Sequence, residues 1–340
     1  MRPTCFRAGN ARRFRPADPH RGTVMNGAHA LKRFGLLYGS SPPMEALYRQ
    51  IDKVAATEAT VLLVGESGTG KELIAQTIHQ KSRRRQRAFI TVNCGAIPPQ
   101  LIEAALFGHE KGSFTGAERQ HIGHFEQAAD GTLFLDEITE MPVDMQVRLL
   151  RVLEGGRFMR VGGDQEVAVD FRLIAATNRE LDVAVRQGNL REDLMYRLAV
   201  FPLWVPPLRE RDGDIELLAR HFLALLNSKE GTHKGFSRRS LEVARTHPWP
   251  GNVRELKNVV QRAFILSGET LDMEEYLSAP PAPPVCPRAG YLDFLVGMPL
   301  ADAQREIILA TLKHCGGNKR QTASTLGISL KTLYNRLKEY

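Results

Sequence analysis

Between Tyr38 and Pro207, short apolar runs alternate with longer segments whose apolar positions recur every three or four residues. The runs Thr60–Val64, Phe89–Asn93, Thr132–Asp136 and Phe171–Thr177 predict buried strands. Met44–Ala56, Glu72–Gln80, Gly123–Ala129 and Asp144–Glu154 predict helices. That alternation predicts an α/β domain with a largely parallel sheet over 38–207. Arg157–Asp170, with Gly162-Gly163 in its middle, reads as a hairpin. From 208 to 277 the pattern becomes helical, with helices expected at Asp212–Ser228, Arg238–Thr246 and Asn252–Leu266. The last of these follows Pro248-Trp249-Pro250-Gly251.

The ends differ from this body. Residues 1–37 show no periodicity and read as a basic, disordered tail; translation starting at Met25 is the other reading of its Arg-rich part. Within 278–290, Ser278–Pro287 holds five prolines in ten residues, which favours an extended linker and excludes a helix. Beyond it, 291–340 reads as a compact all-α unit of Leu300–Cys315 and Arg320–Tyr340, broken at Gly316-Gly317 and Gly327. Charge follows the same division. Residues 1–38 carry eight Lys/Arg against one Asp, and 291–340 seven against four, so of the total +8 the body keeps −2. Nucleic acid is a reasonable partner for the ends, not for the body. No apolar run approaches the roughly 18 residues of a membrane span. The four cysteines form no C-x-x-C pair, and reduced thiols in a cytoplasmic protein are the economical reading.

Chemistry concentrates in three stretches. Gly65-Glu66-Ser67-Gly68-Thr69-Gly70-Lys71 lies between a predicted strand and a helix and fits the phosphate-cradling P-loop. Its glycines let backbone N–H groups turn inward, Lys71 adds a point charge, and the helix aims its positive end at the same place. A helical subdomain after such a core suits a lid over a nucleotide. The strand Thr132–Asp136 ends in two carboxylates. Asp136 can hold Mg²⁺ and Glu137 can orient and deprotonate a water, a solvated acidic turn being the plainer alternative. Glu72 stands where the P-loop pattern expects a Ser or Thr for the metal. At the C-terminus, a short helix, a turn at Gly327 and a second helix bearing Lys331, Thr332, Asn335 and Arg336 fit a DNA-binding helix-turn-helix. Ala323, Leu326, Ile328, Leu333 and Leu337 would be its core, and a basic helical hairpin for protein contacts is the alternative.

Gly65–Glu72, Leu106–Ala117, Gly131–Glu137, Leu190–Leu198 and Trp249–Leu256 together resemble the sigma-54-dependent transcription activators, the nitrogen regulatory protein C family of AAA+ ATPases. The likeness runs from Tyr38 to Ser267, and the C-terminal helices resemble the Fis-type domain that ends these activators. Glu after the P-loop lysine is usual in that family. The resemblance implies that Lys71 contacts the β- and γ-phosphates of ATP, Asp136 the metal and Glu137 the hydrolytic water. It implies that Asn93 pairs with and switches the glutamate, and that Asn178 senses the γ-phosphate. Arg191 and Arg197 match arginine fingers reaching a neighbouring subunit's nucleotide, and Arg254 matches the second sensor in the lid. Either arginine taken alone reads as a surface salt bridge.

Gly112-Ser113-Phe114-Thr115-Gly116-Ala117, taken alone, reads as a buried turn with Phe114 in the core. By resemblance it is the surface loop that touches sigma-54 when ATP is bound. The family has Ala at Ser113, commonly Glu at Ala105 and Phe at Leu190. The resemblance thus implies an ATP- and Mg²⁺-dependent activator that binds enhancer DNA as dimers, forms a hexameric ring, and opens sigma-54 RNA polymerase complexes. A DNA-binding regulator acting by occupancy alone, its ATPase uncoupled from the polymerase, is the alternative.

Overall fold

The computed structural model describes residues 33–113, 117–278, 300–314 and 318–339. Most of the tail, the Pro-rich linker, Phe114-Thr115-Gly116 and the Gly316-Gly317 break lie outside them. The chain divides into two compact units, Met1–Leu277 and Ser278–Tyr340.

In the first unit, β1 (Val61–Val64), β2 (Phe89–Asn93), β3 (Thr132–Asp136), β4 (Arg172–Thr177) and β5 (Phe201–Trp204) form one sheet in the order β5-β1-β4-β3-β2. Every pair is parallel. Parallel pairing demands crossovers, and helices supply them, so the sheet is covered on both faces. Alternation within a strand sorts its side chains. Val61 and Leu63 pack with α1 (Pro42–Ala55) and α2 (Lys71–Gln80), while Leu62 and Val64 pack on the opposite face. That second face is built from α3 (Pro99–Phe107), the short α4 (His124–Gln127), α5 (Val143–Gly155), α6 (Leu181–Arg186) and α7 (Glu192–Leu198).

Besides α3, α6 and α7, which the sequence reading did not name, two results depart from it. The fifth strand, β5, was not expected: Pro202 reads as a breaker, yet proline is tolerated on an edge strand, and β5 is the sheet edge. The end of the expected disordered tail is ordered. Arg33–Phe34 pairs antiparallel with Leu37–Tyr38, and Phe34 stacks on Tyr48 of α1 at 4.6 Å. The expected hairpin forms by Arg157–Met159 pairing with Glu166–Ala168.

Residues 208–278 build a helical subdomain from α8 (Asp214–Glu230), α9 (Arg238–Thr246), α10 (Asn252–Leu266) and α11 (Glu274–Ser278). Its core centres on Trp249, Leu256 and Val260. The indole of Trp249 is buried and donates to the Ala244 carbonyl at 2.8 Å.

In the second unit, α12 (Leu300–His314), α13 (Lys319–Leu326) and α14 (Leu330–Glu339) share a core in which Ile308 joins the five positions read from the sequence. Gly327 turns the chain at φ 64°, and the Ser329 hydroxyl accepts from the Thr332 N–H at the start of α14.

Candidate nucleotide site and DNA-reading helices

The strand register sets the site. Val64, Thr177 and Trp204 are in line, as are Asn93 and Asp136, so the chain leaves β1, β2, β3 and β4 along one edge of the sheet. Gly65, Glu137 and Asn178 each follow immediately. Gly70 takes φ 99° and starts α2 without a side-chain cap, which leaves the first helical N–H groups directed into the loop. A Cβ on Gly70 would meet nothing within 4 Å. An uncapped helix start beside open space is a cradle suited to phosphate oxygens. Lys71 is buried, and its ammonium donates to the carbonyls of Gly65 at 2.7 Å and Glu66 at 3.0 Å. Burial lowers its pKa; Asp136 and Glu137 act in the opposite direction, and Arg254 adds to the fall.

Glu137 lies in the left-handed region at φ 53°, ψ 47°, rare for a residue with a side chain and typical of functional turns. Its N–H donates to the Asp136 carboxylate at 3.0 Å. A Cβ on Gly95 would sit 2.5 Å from Glu137 Oε2 and 3.5 Å from Asn93 Oδ1, so both side chains flank that glycine. Asn93 itself is engaged with its own turn: Oδ1 accepts from Gly95 N–H at 2.9 Å and Ala96 N–H at 3.0 Å. The Asn93–Glu137 pairing implied by the resemblance would use the amide nitrogen Nδ2, which these two bonds leave available. Asn178 is exposed and lines a cleft of about 570 Å³ with Gly65 and Glu66. Among the described residues no three His, Cys, Asp or Glu converge as a metal cage. Asp136 alone fits an ion that takes one or two carboxylates together with substrate phosphates, as Mg²⁺ does.

The helical subdomain closes on the outer side of the loop. Arg254 of α10 donates to Ser67 Oγ at 3.1 Å, and its N–H to the Gly68 carbonyl at 3.3 Å. Three further residues, not singled out from the sequence, do most of the joining. Arg209 makes a two-bond fork to the Glu66 carboxylate at 2.7 and 2.9 Å. Asn252, fully buried at φ 53°, accepts from the Leu208 N–H at 2.7 Å and donates to Glu66 at 3.0 Å and the Ser67 carbonyl at 3.1 Å. Buried Arg211 donates to the Thr69 carbonyl at 3.1 Å; burial lowers its pKa to about 10, which leaves it cationic at neutral pH. The hydrogen bonds from Arg209, then Asn252, hold the Glu66 carboxyl down at about 2. One sequence signal was available for Asn252: Asn after Gly at a helix start favours the left-handed conformation.

Arg191 precedes α7, and Arg197 lies in its last turn. The Arg191 guanidinium grips Asp193 through two bonds at 3.0 and 2.6 Å, and Arg197 donates to the Leu153 carbonyl of α5 at 2.7 Å. Neither is bonded to its own P-loop. At Gly112–Ala117, the Gly112 N–H donates to the Ala117 carbonyl at 2.8 Å, closing the loop's base. Ser113 packs on Gly162 of the hairpin, where a Cβ would lie 2.5 Å from Ser113 Cβ. In the second unit Lys331, Thr332, Asn335 and Arg336 are exposed on α14, while Leu333 is buried on its other side.

Comparison with known proteins accounts for this arrangement. Residues 37–204 match the model of the sigma-54 interaction domain, 209–279 that of the AAA+ ATPase lid domain, and 299–340 that of the bacterial regulatory protein, Fis family. The transcriptional regulatory protein FlbD of Caulobacter vibrioides is 44% identical over 314 residues, covering 88% of this chain and 69% of FlbD. The chain belongs to the sigma-54-dependent transcriptional activator family. It is also 46% identical over 320 residues to the nitrogen fixation protein AnfA of Azotobacter vinelandii, covering 92% of this chain but 59% of AnfA. The crystal structure of NtrX from Brucella abortus in complex with ADP aligns with a TM-score of 0.67 at 34% identity, over 89% of this chain and 68% of that one. Within this activator family the fold is thus the expected one, a parallel α/β AAA+ domain followed by its lid and a Fis-type helix-turn-helix region. Among the described residues no helix is long and apolar enough to cross a membrane.

Proposed function

We propose that this chain hydrolyses ATP to ADP and phosphate in a hexameric ring and uses the turnover to convert sigma-54 RNA polymerase from closed to open complexes. One observation carries this reading: Lys71, Asp136-Glu137 and Asn178 converge at one sheet edge, under a lid whose Arg254 already touches the loop. The ADP-bound state of the NtrX relative supports nucleotide binding here.

In this reading, Lys71 and the N–H groups of Gly65–Lys71 hold the β- and γ-phosphates, with Glu72 on the first turn of α2. Asp136 holds Mg²⁺, which when bound neutralises charge on the transferring phosphoryl. Glu137 takes the proton of the attacking water, and the Asn93 amide nitrogen orients that carboxylate. Asn178 contacts the γ-phosphate, and Arg254 carries its presence to the lid. Arg191 and Arg197, neither bonded to its own loop, serve the nucleotide of the next subunit. Gly112–Ala117, Phe114 included, contacts sigma-54. The α14 residues Lys331, Thr332, Asn335 and Arg336 read enhancer DNA, with two copies paired on each site.

Because the fingers act in trans, hydrolysis requires assembly. The rate per subunit is expected to climb with protein concentration through the assembly range, and Arg191→Ala to cost on the order of 10³-fold. A rate per subunit that stays flat across that range would sink the ring.

A further inference from the structure

Gln146 of α5 is fully buried, and its amide is spent on the backbone of two separate loops. Nε2 donates to the Met141 carbonyl at 2.9 Å and to the Asn189 carbonyl at 2.9 Å. Oε1 accepts the Arg191 N–H, also at 2.9 Å. Both donors of the side chain are thus used, together with one acceptor position. Arg191 precedes α7 with extended backbone (φ −70°, ψ 141°), so its N–H has no place in the helical ladder, and Gln146 supplies its partner. The guanidinium points the other way, to exposed Asp193. The backbone is held from inside while the charged end stays at the surface.

The other end of this bridge is the acidic turn. Met141, itself buried, closes the turn that begins at Glu137: Glu140 N–H donates to the Glu137 carbonyl at 2.9 Å and Met141 N–H to the Ile138 carbonyl at 3.2 Å. The same turn is tied to the end of β4, through Thr139 to Thr177 at 3.2 Å and through Arg179 to Glu140 at 2.5 Å. The Met141 carbonyl at the end of this turn and the Arg191 N–H are thus bonded to one side chain, that of Gln146.

We propose that Gln146 is a positioning residue that holds Arg191 in register with the acidic turn of its own subunit. It links the hydrolysis site of one copy to the cation which that copy lends to the next. The inference rests on the reading above that Arg191 acts in trans, and it adds a route by which turnover in one subunit is communicated to its neighbour.

The test uses the full chain and follows ATP turnover together with binding of a fluorescent ADP analogue. Gln146→Met removes all three bonds at similar length. It is expected to lower kcat on the order of 100-fold by misplacing the finger, with analogue affinity held within about two-fold. In an Arg191→Ala background the same substitution is expected to cost less than about two-fold more, because residues acting as one unit are not additive. Gln146→Glu keeps the acceptor for the Arg191 N–H and stands in if the Met variant does not fold; it is expected to retain more of kcat than any variant lacking that oxygen. Unchanged kcat in both variants, or losses that simply add to that of Arg191→Ala, would overturn the proposal. Arg191→Ala turning over at the wild-type rate would instead defeat the trans-finger reading itself.

Discussion

At the scale of single residues, the loop and the lid meet on one carboxylate. Glu66 receives Arg209 and Asn252 together, and their hydrogen bonds bring its pKa down to about 2, well below the usual glutamate range. A group whose folded pKa is depressed contributes stability above its unfolded pKa and loses it as pH falls toward the folded value. Wild-type and Glu66→Gln proteins should therefore differ in melting temperature at pH 6, with the gap closing between about pH 4.5 and 2. A gap unchanged down to pH 2.5 would contradict the assignment. Gly68 makes a sharper case. It sits at φ 80°, and a Cβ there would lie 2.3 Å from the Gly251 carbonyl oxygen, a backbone atom that cannot rotate away. Gly188, at φ 74° with nothing within 4 Å, isolates the backbone cost, about 1 kcal/mol. Gly68→Ala should lower the melting temperature more than Gly188→Ala and also weaken nucleotide binding at least about ten-fold, measured by titration of a fluorescent analogue.

At the scale of elements, legibility depended on whether the signal was local. The P-loop, the carboxylate-ended strand and the helix-turn-helix each declare themselves within about twenty residues, through glycine placement, burial runs and periodicity. β5 did not, because Pro202 obscures a short edge strand whose pairing with β1 is invisible without the fold. The roles of Arg209 and Asn252 could not be read either, Asn252's turn signal notwithstanding: both act through Glu66, 143 and 186 positions away. Gln146 is hidden for the same reason, since a glutamine in an amphipathic helix looks solvated until its partners are known. Where local signals did define an element, substitutions should act locally. Leu333 is fully buried in a small core, so Leu333→Ala should cost about 2–5 kcal/mol within the second unit. DNA binding by gel shift should fall steeply while ATP turnover stays near wild type. A parallel loss of turnover would mean that the two units do not fold independently.

At the scale of the molecule, the chain joins two compact units with separate cores. The first has the makings of an engine: a phosphate cradle, an acidic turn with left-handed backbone, a lid bonded to the loop, and two arginines bonded to Asp193 and the Leu153 carbonyl. The second carries exposed Lys331 and Arg336 on α14, the proposed DNA reader. In the proposed function, what binds them into one is the loop Gly112–Ala117, whose base is closed by the Gly112–Ala117 bond beside the hairpin and whose proposed partner is sigma-54. The most direct test of that account is open-complex formation by sigma-54 holoenzyme on a duplex promoter, scored by single-strand-specific cleavage with ATP present. Wild type should open the promoter, and Phe114→Ala should fail to open it while still turning over ATP. Promoter opening unaffected by Phe114→Ala, or none by the wild type despite normal turnover, would contradict it.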